Sequence, residues 1–284
     1  MTVRQKVPGA VQPAARAALL MFGRATSRWR LDPSFMIIGG QRCGTTTLFK
    51  ALAAHPRVLR PPVDKGTDYY SLHYGRGTSW YRTRMPLAPR IDSGHQAFEA
   101  CTYYMFHPFA IERIAKDFPD LKLVALLRDP VTRAYSAYKH EYARGFETEP
   151  DFLRALERED ARLEGELDRM RADVGYESLA HRHYAYRHRG EYAEQLVRVF
   201  EHFPHDQVHV MDSEAFFAAP FTEYRRLIDF LGLDRWAPPS FAAENARPGS
   251  PMPVEAQDFL VEHYRTHDAA LAELLGRPLA WQRG

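Results

Sequence analysis

A short apolar run that ends in glycine and leads directly into a helical segment places the strongest constraint on the fold. Phe35-Met-Ile-Ile-Gly39 has the composition of a strand buried on both faces. Gly40-Gln-Arg-Cys-Gly-Thr-Thr-Thr47 follows it, and residues 48–54 are helical in composition until His55-Pro56 stops the helix. Strand, glycine-containing loop and helix in this order are typical of a parallel α/β sheet.

A second unit of the same kind lies further along the chain. Leu121-Lys-Leu-Val-Ala-Leu-Leu127 again has the composition of a buried strand. Arg128-Asp-Pro130 follows, and Pro130 suits the first turn of a helix that runs through Tyr138 to about Arg144. The chain therefore repeats the order of strand, polar turn and helix.

The remaining sequence continues this alternation. We predict a third strand over residues 207–211 and helices over residues 151–170, 192–203 and 221–231, the last ended by Gly232. Strands that alternate with helices predict an α/β fold of three layers, with a central parallel sheet covered by helices on both faces. No linker divides the pattern, so we expect one domain over residues 34–284, preceded by an arm of residues 1–33.

This arm differs from the body in charge. Residues 1–30 hold six basic residues and no acidic one, whereas the rest of the 284-residue chain holds 32 basic against 36 acidic residues. The apolar stretch 14–22 is far shorter than the roughly 20 residues that span a bilayer. We expect a short helix that packs on the domain or, as the sharper alternative, a peripheral contact with anionic lipid.

Composition narrows the class of protein. The chain is 45% hydrophobic and 26% charged with a net charge of +2, which is ordinary for a soluble globular protein and argues against a nucleic-acid partner. Cys43 and Cys101 have no paired spacing, so they support neither a zinc site nor a disulfide framework and fit a reducing compartment. We expect a cytoplasmic protein, and the sequence leaves its oligomeric state open.

The loop between the first strand and its helix has the features of an anion-binding site. Glycines let the backbone approach a ligand, the first N–H groups of the helix point toward it, and the threonines add donors. The loop does not fit the nucleoside-triphosphatase pattern, because Thr45 rather than lysine follows Gly44. The cation stands two residues earlier, at Arg42.

The turn after the second strand carries a further set of anion-binding side chains. Arg128 ends the strand, at the edge where open α/β sheets bind ligands. Arg133 and Ser136 lie three residues apart in the predicted helix and therefore share a face. Two cations and a hydroxyl at this edge predict a second phosphate site.

Together these two sites indicate a ligand with two separated anionic ends, and here the chain resembles a known family. Residues 35–48 resemble the 5′-phosphosulfate-binding loop of the sulfotransferases that use 3′-phosphoadenosine 5′-phosphosulfate (PAPS). Residues 127–138 resemble their 3′-phosphate-binding motif. The resemblance covers roughly residues 35–250 and implies a P-loop-like fold, with sulfuryl transfer to a hydroxyl or amine and no metal requirement.

Additional segments point to the heparan-sulfate and bacterial carbohydrate branch of this family. His73-Tyr-Gly-Arg-Gly-Thr-Ser-Trp-Tyr81 with Met85-Pro86 is similar to the segment that follows the first helix in that branch. Glu99-Ala-Cys-Thr-Tyr-Tyr104 and Gly190-Glu-Tyr192 are similar to weaker landmarks of the family.

The resemblance assigns roles to individual residues. Arg42 stands where the family usually has lysine, against the 5′-phosphate and the bridging oxygen, where its charge would offset the charge on the departing phosphate. Arg128 and Ser136 would bind the 3′-phosphate, and Arg247 lies where the family has a late basic loop near the nucleotide. The residues that would surround the 5′-phosphosulfate are Gly40, Gln41, Arg42, Cys43, Gly44, Thr45, Thr46 and Thr47.

The chain departs from the family at the residue expected to act as the base. The branch has a Lys-Glu pair followed by two aromatic residues; here Lys65 and Tyr69-Tyr70 match, but Gly66 occupies the glutamate position. The family's base therefore has no counterpart. The candidates nearby are Asp68 and Glu99, and Lys65 would act as a second cation against the sulfuryl oxygens.

A basic segment and an aromatic segment are two further candidates for ligand binding. The basic stretch 181–189 is expected to face water, with binding of an acidic acceptor or of the adenosine-phosphate end of PAPS as the alternative. The aromatic residues of segment 69–81 suggest a lined surface for an acceptor more than a regular element, with core packing as the alternative.

The leading hypothesis is a PAPS-dependent sulfotransferase that acts on a hydroxyl of a carbohydrate, glycolipid or secondary metabolite. PAPS would be the co-substrate and 3′,5′-ADP (PAP) the product. A catalytically silent PAPS-binding relative is the alternative that Gly66 keeps open. An ATP-dependent small-molecule kinase is a further alternative, which the missing Gly-Lys-[Ser/Thr] signature disfavours.

Overall fold

The structure is a computed structural model that describes residues 12–89, 94–242 and 250–282. A parallel sheet forms its centre. The strands of this sheet are β1 (Pro33–Gly39), β2 (Val58–Leu59), β3 (Gln96–Ala100), β4 (Lys122–Leu127) and β5 (Val208–Asp212).

The strand order brings the two anion-binding units together. The strands lie in the order β2-β3-β1-β4-β5, and every neighbouring pair is parallel. β1 is central and pairs with β4, so Phe35 lies opposite Lys122 and Gly39 opposite Ala125. The segments that follow β1 and β4 therefore emerge side by side at the carboxyl edge of the sheet.

Helices cover both faces of the sheet and extend beyond it. Their bounds are α1 (Gln12–Ala25), α2 (Thr45–Ala54), α3 (Thr78–Arg82), α4 (Ala110–Asp117), α5 (Pro130–Ala143), α6 (Phe152–Glu157), α7 (Glu159–Leu163), α8 (Glu166–Ala172), α9 (Leu179–His183), α10 (Tyr192–His202), α11 (Ser213–Ala218), α12 (Pro220–Leu231) and α13 (Val254–Leu275).

Alternation along the strands creates a core on each face of the sheet. Met36 and Ile38 point into the core that includes α4 and α10, whereas Phe35 and Ile37 point into the core with α2 and α12. A third cluster joins α5, α6 and α13 around the buried Tyr264. Burial on both faces explains why the strands read as continuous apolar runs.

The predicted α/β fold with a central parallel sheet is confirmed. The strands predicted from residues 35, 121 and 207 onward correspond to β1, β4 and β5, shifted by one or two residues at their ends. Gly232 ends α12 with a φ of 70°, the left-handed conformation that glycine adopts without strain.

The prediction of one helix over residues 151–170 is wrong. The structure has three short helices there, because Glu164 adopts an extended ψ of 123° and Gly165 has a φ of 73°. Glu159 is turned inward and accepts hydrogen bonds from the backbone N–H groups of Arg187 and His188. The short helices let this carboxylate anchor the neighbouring loop.

The aromatic stretch after residue 68 packs into the core. Tyr69, Tyr70 and Tyr81 are buried, and their rings contact one another with centroids 4.8–5.5 Å apart. The expectation that this segment chiefly forms a lined surface is therefore wrong. Trp80 and His73 are the aromatic side chains of the segment that reach the cavity described below.

Several elements carry no clear signal in the sequence. β2 has only two residues, and β3 carries Gln96 and Glu99 in place of an apolar run. The longest helix, α13, packs against α5 and α10 and was also not predicted.

Candidate active site

A large cavity opens at the carboxyl edge of the sheet. Its volume is about 1710 Å³, and the segments that follow β1, β3, β4 and β5 all contribute to its lining. This is the edge at which open α/β sheets bind ligands. Both predicted anion-binding motifs therefore face the same space.

The loop after β1 turns sharply into α2. Gly44 has a φ of 84°, and a side chain there would bring Cβ within 2.9 Å of the Phe217 ring. Arg42 also has a positive φ, of 67°, which is uncommon for a residue with a side chain. Thr45 and Thr46 form the first turn of α2 and line the cavity, where helix N–H groups lack intrahelical carbonyl partners.

Hydrogen bonds connect the two motifs directly. The Arg42 Nε donates to Ser136 Oγ at 3.0 Å, and an Arg128 guanidinium nitrogen lies 3.4 Å from the Arg42 carbonyl oxygen. All three residues line the cavity, as does Gln41. The side chains predicted to hold the two phosphates thus form one continuous group.

The start of α5 is fixed by capping interactions. The Asp129 carboxylate accepts a hydrogen bond from Val131 N at 3.0 Å, and Pro130 occupies the first turn. The Asp129 N–H in turn donates to the Glu214 carboxylate at 3.1 Å. These contacts fix the start of α5, which carries Ser136, directly after Arg128.

Arg133 does not belong to this group, contrary to expectation. It is fully buried, and its guanidinium donates to the Tyr186 carbonyl oxygen in the core cluster of α5, α6 and α13. Arg133 and Ser136 are three residues apart on α5, which places them on neighbouring sides of the helix. Packing against Tyr186 and Tyr264 directs the Arg133 side chain into the core.

Several residues predicted to bind the donor lie behind the loop. Cys43 is completely buried, with its thiol 3.8 Å from the Tyr192 hydroxyl. Thr47 donates its hydroxyl to the Ala242 carbonyl oxygen at 3.0 Å, and the Gly40 N–H donates to Leu126 O. The cavity lining does not include these three residues. Arg247 lies outside the residues that the structure describes.

Lys65 brings a second cation to the start of α2. Its ammonium group donates to Thr45 Oγ1 at 2.9 Å and is 5.8 Å from the centre of the Phe49 ring. Burial lowers the pKa of Lys65 to about 8. Lys65 and Arg42 therefore flank the helix N-terminus from two different parts of the chain.

Gly66 sits where a side chain has no room. A Cβ atom at this position would overlap the carbonyl oxygen of Ala100, at the end of β3. The Ala100 N–H also donates to the Lys65 carbonyl oxygen at 3.1 Å, so the two segments are tied together. The missing glutamate is thus accompanied by a close approach of two backbones.

Glu99 lies beneath this segment and is fully buried. It accepts hydrogen bonds from Thr67 N at 2.6 Å and from the Tyr104 hydroxyl at 3.2 Å. Burial raises the pKa of Glu99 to about 7, although these hydrogen bonds oppose the shift. Glu99 does not line the cavity, so it supports the segment from below.

Asp68 does line the cavity. It has a φ of 53°, and its carboxylate accepts a hydrogen bond from the Cys101 thiol at 3.0 Å. Of the two acidic candidates, Asp68 is therefore the one placed to meet a ligand.

Half of the basic residues in the stretch 181–189 are buried, contrary to the expectation that the stretch faces water: His181, His183 and Arg189. His183 Nδ1 donates to the Glu141 carboxylate at 2.9 Å, and that carboxylate also accepts from Gln41 Nε2 at 3.3 Å. Arg189 packs over the rings of Tyr103 and Phe106, and burial lowers its pKa to about 10. His183 and Arg189 both line the cavity.

Other lining residues gave no recognisable signal in the sequence. They come from α1, α11 and α13, elements that carry no motif. Among the described lining residues, ten lysine and arginine side chains face six carboxylates, so the cavity is cationic although residues 31–284 as a whole are mildly acidic. The unpredicted residues on these three helices are Arg16, Ser213, Glu214, Phe217, Gln257, Val261, Tyr264, Arg265 and Asp268.

One cluster of metal-ligating side chains occurs in the part of the chain that the structure describes. Glu191, His263 and His267 have ligand atoms within 4.8 Å of one another. His263 and Glu191 already hydrogen-bond at 2.9 Å, and none of the three lines the cavity. This cluster thus lies apart from the anion-binding groups.

Comparison with known proteins places most of this chain in one family. A profile of the family described as "Sulfotransferase domain" matches residues 32–238. Human bifunctional heparan sulfate N-deacetylase/N-sulfotransferase 3 is 27% identical over 283 residues, covering 88% of this chain and 31% of that protein. Mouse heparan sulfate glucosamine 3-O-sulfotransferase 3A1 is 31% identical over 224 residues, covering 79% of this chain and 50% of that protein. The chain spans about a third to a half of these relatives.

A solved structure agrees with this assignment. A sulfotransferase from Alicyclobacillus acidocaldarius superposes with a TM-score of 0.67 at 27% identity. The match covers 89% of this chain and 100% of that one. The predicted P-loop-like arrangement is therefore shared with a protein of similar extent.

Proposed function

The chain belongs to the sulfotransferase family, and we propose that it transfers a sulfuryl group from PAPS to a hydroxyl group of a carbohydrate, glycolipid or secondary-metabolite acceptor. The observation that carries this proposal is the convergence of Arg42, Lys65, Arg128 and Ser136 at the start of α2, on one wall of one cavity.

The residues present fit a donor with two anionic ends. Thr45, Thr46 and the first N–H groups of α2 would hold the 5′-phosphosulfate. Arg128 and Ser136 would hold the 3′-phosphate, for which a guanidinium and a hydroxyl are suitable partners. Gly40, Cys43 and Thr47 would act indirectly, by fixing the loop.

The transfer would depend on charge neutralisation and positioning. When PAPS is bound, it supplies an activated sulfuryl group, and the S–O bond to the departing phosphate breaks as the acceptor oxygen bonds to sulfur. Arg42 would offset the negative charge that develops on that phosphate, and Lys65 would contact the sulfuryl oxygens. Both cations are held before substrate arrives, so little reorganisation is needed.

Asp68 is the base that this arrangement favours. The acceptor hydroxyl must lose its proton as its oxygen attacks sulfur, and a carboxylate on the cavity wall can accept it. Asp68 lines the cavity and is oriented by the Cys101 thiol, whereas Glu99 is buried under Thr67. Glu99 would act by holding the segment that carries Lys65 and Asp68.

The acceptor side of the cavity is cationic. Arg144, Arg182 and Arg189 line it beyond the donor site and would suit an acceptor that carries carboxylate or sulfate groups. The names of the relatives given above state activity on heparan sulfate, which is a polyanion. These names support an anionic acceptor but do not identify the acceptor of this chain.

We further propose residues 34–284 as one catalytic domain and the cytoplasm as its compartment. The packing of α13 on α5 and α10 supports the first point. Cys43 and Cys101 are both free thiols, which supports the second.

Calorimetry and a transfer assay test this function together. We expect 3′,5′-ADP to bind without metal and more tightly than ATP with magnesium, and labelled sulfate to move from PAPS to an acceptor in a screen of sugars, lipids and phenols. Metal-independent preference for ATP would overturn the proposal. Binding of 3′,5′-ADP without transfer to any acceptor would favour the silent relative that Gly66 keeps open.

A further inference from the structure

The helix α1 turns an almost entirely apolar face to solvent. Leu19 is 43% exposed, Met21 70% and Phe22 54%, and the alanines at positions 15, 17, 18 and 25 are also exposed. Surface helices normally present polar side chains on their outer face. Among the described side chains of α1, only Arg16 and Arg24 are exposed and polar, so the outer face has the character of a contact surface.

The opposite side of α1 is docked on the body of the protein. Arg16 forms an ion pair with Asp64 at 2.6 Å, and Leu20 is half-buried. Gly23 packs so closely on the Thr83 carbonyl oxygen that a side chain there would overlap it. These contacts define which face of the helix is covered and which is left outward.

Neighbouring residues extend the outward face. Trp29 is 52% exposed and Leu87 is 40% exposed. They lie close together, because Ala88 N donates to the Trp29 carbonyl oxygen at 2.8 Å. We call Leu19, Met21, Phe22, Trp29 and Leu87 the α1 patch.

Cations surround the α1 patch. Arg24 and Arg28 are exposed, and Arg28 lies over the Trp29 ring. Arg16, Arg24 and Arg76 are all close enough to Arg84 to lower its pKa, although burial is the main cause of that shift. The acidic residues at this side, Asp32 and Asp64, are paired with Arg82 and Arg16.

We propose that the α1 patch binds the surface of a bilayer that contains anionic lipids. Exposed apolar side chains flanked by arginines match an interface in which acyl chains lie below negatively charged headgroups. No acidic residue occurs in residues 1–30 to oppose this contact. At 14 residues α1 is too short to cross a membrane, and none of the helices within the described ranges is long and apolar enough to do so.

The position of α1 relates this surface to the site. Arg16 on α1 lines the cavity, as do its partner Asp64 and the nearby Arg84 and Trp80. A protein bound through the α1 patch would hold this rim of the cavity at the lipid headgroups. Resting on the proposed function, the inference selects an acceptor class: a hydroxylated headgroup, such as that of a glycolipid, presented by the membrane itself.

Vesicle flotation with the full chain tests the membrane contact without any assumption about catalysis. We expect the protein to float with vesicles of phosphatidylcholine and phosphatidylglycerol and to stay behind with phosphatidylcholine alone. The double variant Met21→Asp with Phe22→Asp should not float, whereas Leu167→Asp, at a side chain 48% exposed on α8, should behave like the parent. Equal flotation of the parent and the double variant would overturn the proposal.

A charge-reversal variant checks the electrostatic part and does not depend on the apolar substitutions. Arg24→Glu with Arg28→Glu should weaken partitioning at least about tenfold, and salt should weaken the parent in the same direction. If the double apolar variant instead turns a dimeric parent into a monomer and no form floats, a second copy covers the patch and the proposal is wrong.

Binding of 3′,5′-ADP separates this inference from the proposed function. The variants at Met21, Phe22, Arg24 and Arg28 should bind 3′,5′-ADP as the parent does, because none of these residues lines the cavity. Flotation without nucleotide binding would reject the function and keep the membrane contact. Nucleotide binding without flotation of the parent would reject the membrane contact alone.

Discussion

Two parts of the cavity wall, named the donor end and the acceptor end after the proposed function, are built in different ways. At the donor end, Arg42, Thr45 and Thr46 come from one contiguous loop and helix start, and Arg128 and Ser136 from another. At the acceptor end, Thr67 and Asp68 are held by Glu99 of β3 and by Cys101 in the turn after it. The donor end is therefore formed by residues adjacent in the sequence, whereas the acceptor end depends on contacts between segments that are distant in the sequence.

The two ends differ in how they accommodate a residue that departs from the family pattern. The family resemblance implies lysine at position 42, and the arginine found there keeps the positive charge within the same loop. Glycine at position 66 is accompanied by a close backbone contact with Ala100, a buried Glu99 below and Asp68 on the cavity wall. The contact with Ala100 leaves no room for the side chain that the family resemblance implies at position 66. The following substitutions test the contrast between the two ends.

The largest effect is expected at the donor end. Arg42→Ala should lower kcat about 10²–10³-fold, because it removes a preorganised cation from the departing phosphate, with only a modest loss of 3′,5′-ADP binding. Steady-state kinetics and calorimetry measure the two quantities. Arg42→Lys is the matched control and should retain most activity. Unchanged turnover of the alanine variant would refute the assigned role.

At the acceptor end, Asp68→Asn should lower kcat about 10²-fold while leaving 3′,5′-ADP binding intact, since the amide keeps an oxygen for the Cys101 thiol but accepts no proton from the acceptor. Cys101→Ala removes the thiol and keeps the carboxylate, so its loss should be smaller. Full activity of the asparagine variant would remove Asp68 as the base.

Gly66→Ala tests the backbone contact itself. The new Cβ would overlap the Ala100 carbonyl oxygen, so we expect a loss of about 2–3 kcal/mol in the free energy of unfolding. Gly75→Ala is the control, because the nearest atom to a Cβ there is Val174 Cγ1 at 3.9 Å. Equal denaturation midpoints for the two variants would contradict the crowding at position 66.

The pH dependence of transfer reports on Lys65. Its pKa of about 8 in the free enzyme means that the cation is lost as pH rises through 8. We expect kcat/KM to fall above that pH, approaching tenfold per pH unit, and the fall to be absent in Lys65→Arg, because arginine stays protonated. A profile that stays flat to pH 9.5 in the parent would contradict this role.

The smallest effect on transfer concerns Glu99, whose titration changes stability. Its pKa is raised from 4.5 to about 7 in the folded protein, so the folded state holds a proton that the unfolded state has lost between these values. Stability should therefore fall as pH rises from about 4.5 to 7, by at most about 1.4 kcal/mol per pH unit. Denaturant titrations of Glu99→Gln should show a shallower slope. If the parent and Glu99→Gln show the same dependence of stability on pH, a group other than Glu99 is responsible for it.

The same contrast explains what could be predicted from sequence. β1, β4 and the donor loop follow from apolar runs, glycines and hydroxyls that are adjacent in the chain. The burial of Arg133 depends on Tyr186 and Tyr264, which no local pattern connects to it. Glu99 and Asp68 were equal candidates, because only the packing of β3 against segment 65–68 separates a buried support from a cavity-lining acid.

The interior aromatic residues and the basic stretch illustrate a further limit. Tyr69 and Arg189 belong to residue types often found at surfaces or binding sites, yet their partners come from distant segments and take them inside. The composition of a segment does not show whether aromatic residues from distant segments will pack against it and bury it.

The helix α13 has a consequence for how this enzyme could diversify. It lies after residue 238, where the family match ends, yet Tyr264 and Arg265 form part of the cavity wall. An exchange of the chain after this point would replace the part of the cavity wall that Tyr264 and Arg265 form. Because α13 also packs on α5, the helix that carries Ser136, a new C-terminal helix would have to preserve that packing to keep the edge of the sheet intact.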